Sequence, residues 1–413
     1  MSSKQVLFVT YGAGHADIVR RLVGQIKSRN DLDFKVLALT TAAKLFDEHQ
    51  VNYSQCRDYL HLNNYAEAAQ IGGKLSEGLW NPDSGIPFAE SAAYMGVSML
   101  DLIAQHGHDK AMEMYQEQGR KAFCPVRFMQ QVLTQLQPDL VVTTCYVRME
   151  KAAVLAAKAL GIKSVLIEDL FGYSMLGEKP LHQNQLVDEL VHLPDELIVL
   201  NNSVRDRLID AGYPPEQVLA LGQPVFADWA KDYESLDIEP GLRAFAESPN
   251  PVITYATPAR RDVLYSQSPH FLELAKQNPD WQVIIKLHPS VPSQEFSEKY
   301  PQLPANLYVC QGESIESAVK ISDIVVIFRS SVGLLCLFCG VPLLVLDATG
   351  EDQFMPYASS GAADALYDNA QLTPYLRRFF SERVINQEKQ QHPLFENPEH
   401  AAQAIVAHFA KQH

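Results

Sequence analysis

The sequence predicts an α/β protein made of two doubly wound domains that face a cleft. Three observations carry this expectation. Short runs of Val, Ile and Leu recur along the chain and alternate with helical patterns, as expected of parallel strands buried on both faces with helices laid over them. The pattern lapses in a polar, turn-rich stretch from Asp228 to Pro251 and then starts again. At 413 residues the chain is also too long for one ordinary core.

In the first domain, strands are expected at QVLFVT (5–10), FKVLAL (34–39), LVVTT (140–144), SVLIED (164–169), ELIVLN (196–201) and VLALG (218–222). Residues 58–135 hold helical patterns with aromatics and no strong strand, so a helical elaboration is expected there. It either faces an acceptor or partner or serves structure alone. In the second domain, strands are expected at PVITYAT (251–257), QVIIKLHP (282–289), NLYVC (306–310), DIVVIF (323–328) and PLLVLD (342–347). The expected division is therefore a domain over 1–228, a linker over 229–250 and a domain over 251–397. An amphipathic helix, 398–413, closes the chain.

Composition narrows the function classes. The net charge of −15 argues against nucleic acid as a partner, because phosphate backbones are bound by clustered Lys and Arg. Any anionic ligand has to be held locally. The six cysteines are scattered and lack the dense spacing of a disulfide scaffold, which fits a reducing cytoplasm. Cys336 and Cys339 sit in VGLLCLFCGVP with no second pair and no His nearby, so they are expected to pack in the core and no metal site is expected. The opening MSSKQVLFVTYGAGH has no cleavable-signal layout. The most apolar stretch, Ile324 to Leu346, is broken by Arg329, Ser330, Ser331, Gly340 and Pro342, so it reads as strand, turn, helix and strand. A cytoplasmic protein with at most peripheral membrane association is expected.

Residues able to do chemistry gather at the ends of the expected strands. After the first strand, YGAGHADIVRRLVGQI places Gly12, Gly14 and His15 before a helix, where glycine lets a backbone approach a ligand. The spacing is not that of a dinucleotide fingerprint. His15 serves either as a catalytic or substrate-binding group or as a turn histidine. SVLIEDLFGYS ends a strand on Glu168 and Asp169, and adjacent carboxylates on a strand point to opposite sides. One of them can act as a general base, or the pair can be a helix cap and a solvated acid. PVITYATPARRDV supplies Thr257, Arg260 and Arg261, and arginines in such a turn can hold phosphate in a bidentate fork. IIKLHPS runs a strand into Lys286, His288 and Pro289. SDIVVIFRSSVGLL puts Arg329, Ser330, Ser331 and Gly333 between a strand and a helix, and Glu351 and Asp352 follow the next strand. Together these turns suggest a site for phosphate, ribose and base.

At these residues the chain resembles the GT-B superfamily of nucleotide-sugar glycosyltransferases, whose two domains are Rossmann-like, and their relatives the UDP-N-acetylglucosamine 2-epimerases. The patches that carry the resemblance are GAGH at 12–15, LIVLNNSVRDRLIDAGYPPEQVLALGQPVFADW at 197–229, KLHP at 286–289 and SDIVVIFRSSVGLLCLFCGVPLLVLD at 322–347. In bacterial sialyltransferases and Kdo transferases of this fold an acidic pair, an HP pair and a Ser-rich turn recur. Here Glu168-Asp169, His288-Pro289 and Ser330-Ser331 match that order, and glycerophosphate transferases look similar around HP and SS. GQPVFADW, TPARRD and EDLFGY resemble epimerase segments. The first strand lacks the epimerases' Gly-Thr-Arg-Pro-Glu pattern, however, and RSSVGLLCLF replaces their Asp-Ser-Gly-Gly stretch.

The resemblance implies a metal-independent glycosyltransferase that moves a sugar from a CMP-, UDP- or CDP-linked donor to a glycan or lipid-linked acceptor in surface polysaccharide synthesis. No cofactor is implied beyond the nucleotide-sugar co-substrate. It assigns the donor to Arg260, Lys286, His288, Ser330 and Ser331, with Glu351 or Asp352 near the ribose, and Gly12, Gly14, Thr257, Pro289, Arg329 and Gly333 alongside. Asp169 or Glu168 is the expected base, with His15 as a second candidate. The alternatives are a 2-epimerase-like isomerase and a non-catalytic nucleotide-sugar binding protein.

Overall fold

Runs that are apolar on both faces form strands, because only a sheet covered on both sides can bury them. In β1 (Lys4–Thr10) every residue from Val6 to Thr10 is buried. The structure, a computed structural model, describes residues 3–12, 14–62, 65, 67–168, 170–171, 193–310, 312–348, 355–382 and 396–412. The chain divides into two compact units, Met1–Val225 together with Asn397–His413, and Phe226–Glu396.

The first unit is built on a six-stranded parallel sheet whose other strands are β2 (Leu32–Ala38), β3 (Leu140–Thr143), β4 (Lys163–Ile167), β5 (Glu196–Val199) and β6 (Val218–Ala220). Their order is β2-β1-β3-β4-β5-β6. The chain thus steps from β1 to the edge at β2 and returns to the far side of β1. Helices α1 (Gly14–Ile26) and α2 (Ala42–Glu48) follow the first two strands. The stretch expected to be a helical elaboration holds α3 (Ala68–Ser76), α4 (Phe88–His106), α5 (His108–Gln118) and α6 (Val126–Leu136), and α7 (Arg148–Ala159) follows β3. The last helix, Ala401–Lys411, belongs to this unit, where buried Phe409 meets the ring of Phe8 at 6.3 Å.

The second unit repeats the plan with β7 (Val252–Ala256), β8 (Gln282–Lys286), β9 (Leu307–Cys310), β10 (Ile324–Ile327), β11 (Leu343–Leu346) and β12 (Asp364–Leu366), in the order β12-β11-β10-β7-β8-β9. β12 was not expected, because its three residues, DAL, are too few to show a pattern. Its core is anchored by Tyr255, stacked on Phe271 at 4.2 Å. The Tyr255 hydroxyl donates to Gln267, whose amide donates on to the Leu346 carbonyl at 2.7 Å. The helix Pro224–Ser235 begins before the stretch read as a linker and runs into its first residues. Its apolar residues Val225, Phe226 and Trp229 share one face, and the Lys320 ammonium donates to the carbonyls of Tyr233 and Leu236 at 2.8 and 2.7 Å, close to its end. Cys336 is buried and burial pushes its thiol up, with the Cys339 thiol raised likewise to about 12. Among the described residues no helix is long and apolar enough to cross a membrane.

Candidate functional site

Open parallel sheets collect ligand-binding groups at the carboxyl ends of their strands, where the winding direction reverses and the flanking loops diverge. In the second unit that place lies between β7 and β10. Register puts Ile327, Ala256 and Lys286 in one row across β10, β7 and β8. The residues that follow them, Thr257, His288, Pro289, Arg329, Ser330 and Ser331, therefore emerge at one edge.

The turn after β8 is built by its own side chains. Lys286 is only 8% exposed, and its carbonyl accepts the Thr257 N–H at 3.0 Å. The Thr257 hydroxyl accepts the His288 backbone N–H at 2.9 Å, which ties the turn after β7 to the turn after β8. The Ser290 backbone N–H then donates to His288 Nδ1 at 3.1 Å, with the Ser290 hydroxyl 2.8 Å from the same nitrogen. Nδ1 is thus an acceptor, and the neutral ring carries its proton on Nε2. Burial, and after it the charge of Arg261, lowers the His288 pKa below the ordinary histidine value, so the ring is neutral at neutral pH. Arg261 also braces the turn, donating to the Ser290 carbonyl and pairing with Glu295 at 3.2 Å. Pro289 is exposed. Arg260 is exposed too, pairs with Asp262 at 2.5 Å, and lies 5.9 Å from the centre of the Phe328 ring.

The turn after β10 has a different architecture. The Arg329 guanidinium lies 4.7 Å from the centre of the Phe328 ring and 3.8 Å from Asp347, whose side chain is fully buried just past β11. The Ser330 hydroxyl accepts the Val332 N–H at 3.2 Å, and its carbonyl accepts the Tyr357 hydroxyl at 2.8 Å. Gly333 has a packing reason to be glycine, since a Cβ there would stand 2.5 Å from the Tyr357 ring. Ser331 is exposed at the start of the helix Val332–Phe338. Glu351 and Asp352 lie outside the described residues.

In the first unit the corresponding reversal lies between β1 and β3. A carboxylate there does what no residue singled out from sequence does. Glu150, fully buried on α7, accepts the backbone N–H groups of Tyr11, Thr144 and Cys145 at 2.9, 2.6 and 2.8 Å, locking the ends of β1 and β3 together. Burial raises its pKa, against the pull of His15, which lies close enough to act on it electrostatically, and of those N–H groups. Gly12 also has a packing reason, because a Cβ would collide with the Thr41 hydroxyl at 1.9 Å. Gly14 is exposed and begins α1. Glu168, just past β4, is 1% exposed and accepts the Leu170 N–H at 2.9 Å. Asp169 lies outside the described residues.

The structure thus gathers Thr257, Arg260, Lys286, His288, Pro289, Arg329, Ser330, Ser331 and Gly333 within the second unit, and holds Gly12, Gly14, His15 and Glu168 in the first. Sequence reading missed Asp347, Tyr357 and Glu150. Such a cluster of cations, hydroxyls and a fixed imidazole N–H donor can hold a phosphate.

No family model matches the chain, and no curated relative does. Solved structures do. A UDP-GlcNAc 2-epimerase from Neisseria meningitidis bound to UDP-GlcNAc aligns over 99% of this chain and 100% of its own at 16% identity, with a TM-score of 0.64. A UDP-GlcNAc 2-epimerase from Methanocaldococcus jannaschii in complex with UDP-GlcNAc and UDP covers 99% of this chain and 100% of its own at 13% identity and 0.62. The glycosyltransferase SnogD from Streptomyces nogalater covers 98% of this chain and 99% of its own at 18% identity and 0.54. At these identities the likeness is one of fold, and this chain has the two-domain α/β fold of GT-B type that it shares with these epimerases and this glycosyltransferase.

Proposed function

We propose that the protein is a nucleotide-sugar glycosyltransferase that moves a sugar from a CMP-, UDP- or CDP-linked donor to a glycan or glycoconjugate acceptor. The observation that carries the reading is His288. Its Nδ1 is occupied by the Ser290 N–H, which leaves Nε2–H as a neutral donor at the tip of β8, on the same sheet edge as Arg329 and Ser330. In this reading Lys286, His288, Arg329 and Ser330 hold the donor's phosphates, and cationic side chains and N–H donors carry the leaving group's charge without a metal. The order of acidic pair, HP and SS supports the resemblance to sialyl- and Kdo-type transferases. Glu168 or Asp169 then serves as base on the acceptor hydroxyl.

A second reading, 2-epimerisation of a UDP-sugar, is supported by the near-complete coverage of the epimerase neighbours. Incubation with a UDP-sugar and no acceptor separates the two, because only an epimerase returns an isomerised sugar nucleotide.

The direct test is thermal unfolding of the protein with CMP, CDP, UDP and GDP and their sugars, repeated on His288→Ala. A ligand at about a hundredfold excess over Kd stabilises the native state by about 2.7 kcal/mol. A shift with one nucleotide class that disappears in His288→Ala is expected. No shift with any nucleotide would sink the transferase and epimerase readings together.

A further inference from the structure

The transfer chemistry makes no use of a cavity of about 690 Å³ in the first unit, lined by Arg120, Lys121, Cys124, Tyr146, Arg148 and Lys151 among others. It lies between the segment that precedes α6 and the turn that leads from β3 into α7. The volume falls in the range typical of small-molecule pockets, roughly 300–1,000 Å³. Four of its side chains are cations, and its lining contains no carboxylate among the described residues. None of the four pairs with a described carboxylate.

In a chain with a net charge of −15, acids to neutralise them are plentiful. Cations gathered without counter-charge repel one another, and an anionic ligand relieves that repulsion. Two of the four are also held in place. Arg148 opens α7 at φ 47°, a backbone region non-glycine residues seldom adopt, and its guanidinium lies 4.6 Å from the centre of the Tyr11 ring. The Lys151 ammonium lies 5.2 Å from the centre of the Tyr146 ring.

Arg120 also lines a neighbouring cavity of about 150 Å³ with Ser76, Trp80, Glu90 and Tyr94. The Ser76 hydroxyl is buried there with no hydrogen-bond partner among the described residues. An aromatic ring beside a hydroxyl and a carboxylate suits a sugar ring, which offers both apolar C–H groups and hydroxyls.

We propose that the two cavities form one site for an anionic saccharide, with its carboxylate or phosphate among Arg120, Lys121, Arg148 and Lys151 and an adjoining ring at Ser76 and Trp80. That this saccharide is the acceptor rests on the transferase reading; that it binds here does not.

Isothermal titration of the full chain tests the proposal, with glucuronate and glucose 6-phosphate as probes and glucose and inorganic phosphate as controls. UDP, CDP and CMP are titrated into the same preparations. At least one anionic sugar is expected to bind more tightly than either control, and to weaken as salt is raised. Which of the two binds distinguishes a carboxylate from a phosphate. Lys121→Gln combined with Lys151→Gln should raise its Kd by about tenfold or more, each lost charge-assisted contact contributing, while nucleotide binding is unchanged. Arg148→Gln provides a second variant, with thermal unfolding as the check on folding.

The proposal is overturned if neither anionic sugar binds, or if binding survives the double substitution. Inorganic phosphate binding as well as the sugars would also overturn it, as would nucleotide binding lost with the lysines, which would assign the cavity to the nucleotide. Anionic sugar binding with no nucleotide binding would support this site and count against the transferase reading alone.

Discussion

A single backbone N–H decides which nitrogen of His288 is left to act. Because the Ser290 N–H donates to Nδ1, an asparagine at 288 can copy that contact through its own side-chain carbonyl, in the manner of an Asx turn. It cannot copy the Nε2–H. His288→Asn should therefore keep most of the turn's stability yet weaken nucleotide binding by roughly tenfold to a hundredfold, the worth of one hydrogen bond to a charged group. Titration of the variant with the nucleotide that stabilises the wild type is the check, and unchanged affinity would remove Nε2–H from the site. Lys286, His288 and Ser330 were legible in the sequence because each lies within three residues of the end of an apolar run. Tyr357 was not, since it reaches the Ser330 carbonyl across 27 residues and only the folded sheet brings the two together. Glu150 did leave a local sign. In RMEKAAVLAAKA it precedes Val154 by four residues and Ala157 by seven, so it sits on the apolar face of α7, where an acid needs a buried partner.

Among the elements, α4 carries a charge that opposes its own burial. Glu90 is 1% exposed and accepts the N–H groups of Cys56 and Arg57, each at 3.1 Å. Burial outweighs those bonds and raises its pKa from the ordinary 4.5 to about 7. The folded state therefore binds this proton more tightly than the unfolded state, and stability falls as pH rises from about 4.5 through 7. The loss approaches about 3 kcal/mol at the upper end. Thermal unfolding compared at mildly acidic and mildly alkaline pH should show this slope, and Glu90→Gln should flatten it; an unaltered slope in the variant would assign it to other groups. Element by element, the strands were legible wherever both faces are buried. The helix Pro224–Ser235 was hidden because its apolar face is short and DWAKDYES is mostly polar.

Over the whole molecule the chain leaves its first unit at Val225 and returns to it at Asn397, so that unit is completed only by the chain's last helix. Sequence patterning located this helix, but it could not show which sheet the helix covers, because amphipathicity records that a face is buried and not against what. The structure supplies the partner. Besides the packing of Phe409 on Phe8, Glu196 at the start of β5 takes the ring of His408 at 2.6 Å and the ammonium of Lys163 at 2.9 Å. Burial works against the Glu196 charge, but His408 and Lys163 outweigh it and hold its pKa at about 2, below the ordinary 4.5. With the folded value below the unfolded one, the contribution is complete above about 4.5 and is lost as pH falls towards 2. After allowance for solvent screening it is on the order of 1 kcal/mol, or about 2–4 °C in the first unit's transition. Calorimetry between neutral pH and pH about 3 should show that transition falling in the wild type, and falling less in Glu196→Gln, which has no charge to lose. An identical acid response in the variant would mean that the Glu196 carboxylate adds nothing measurable to the stability of this unit.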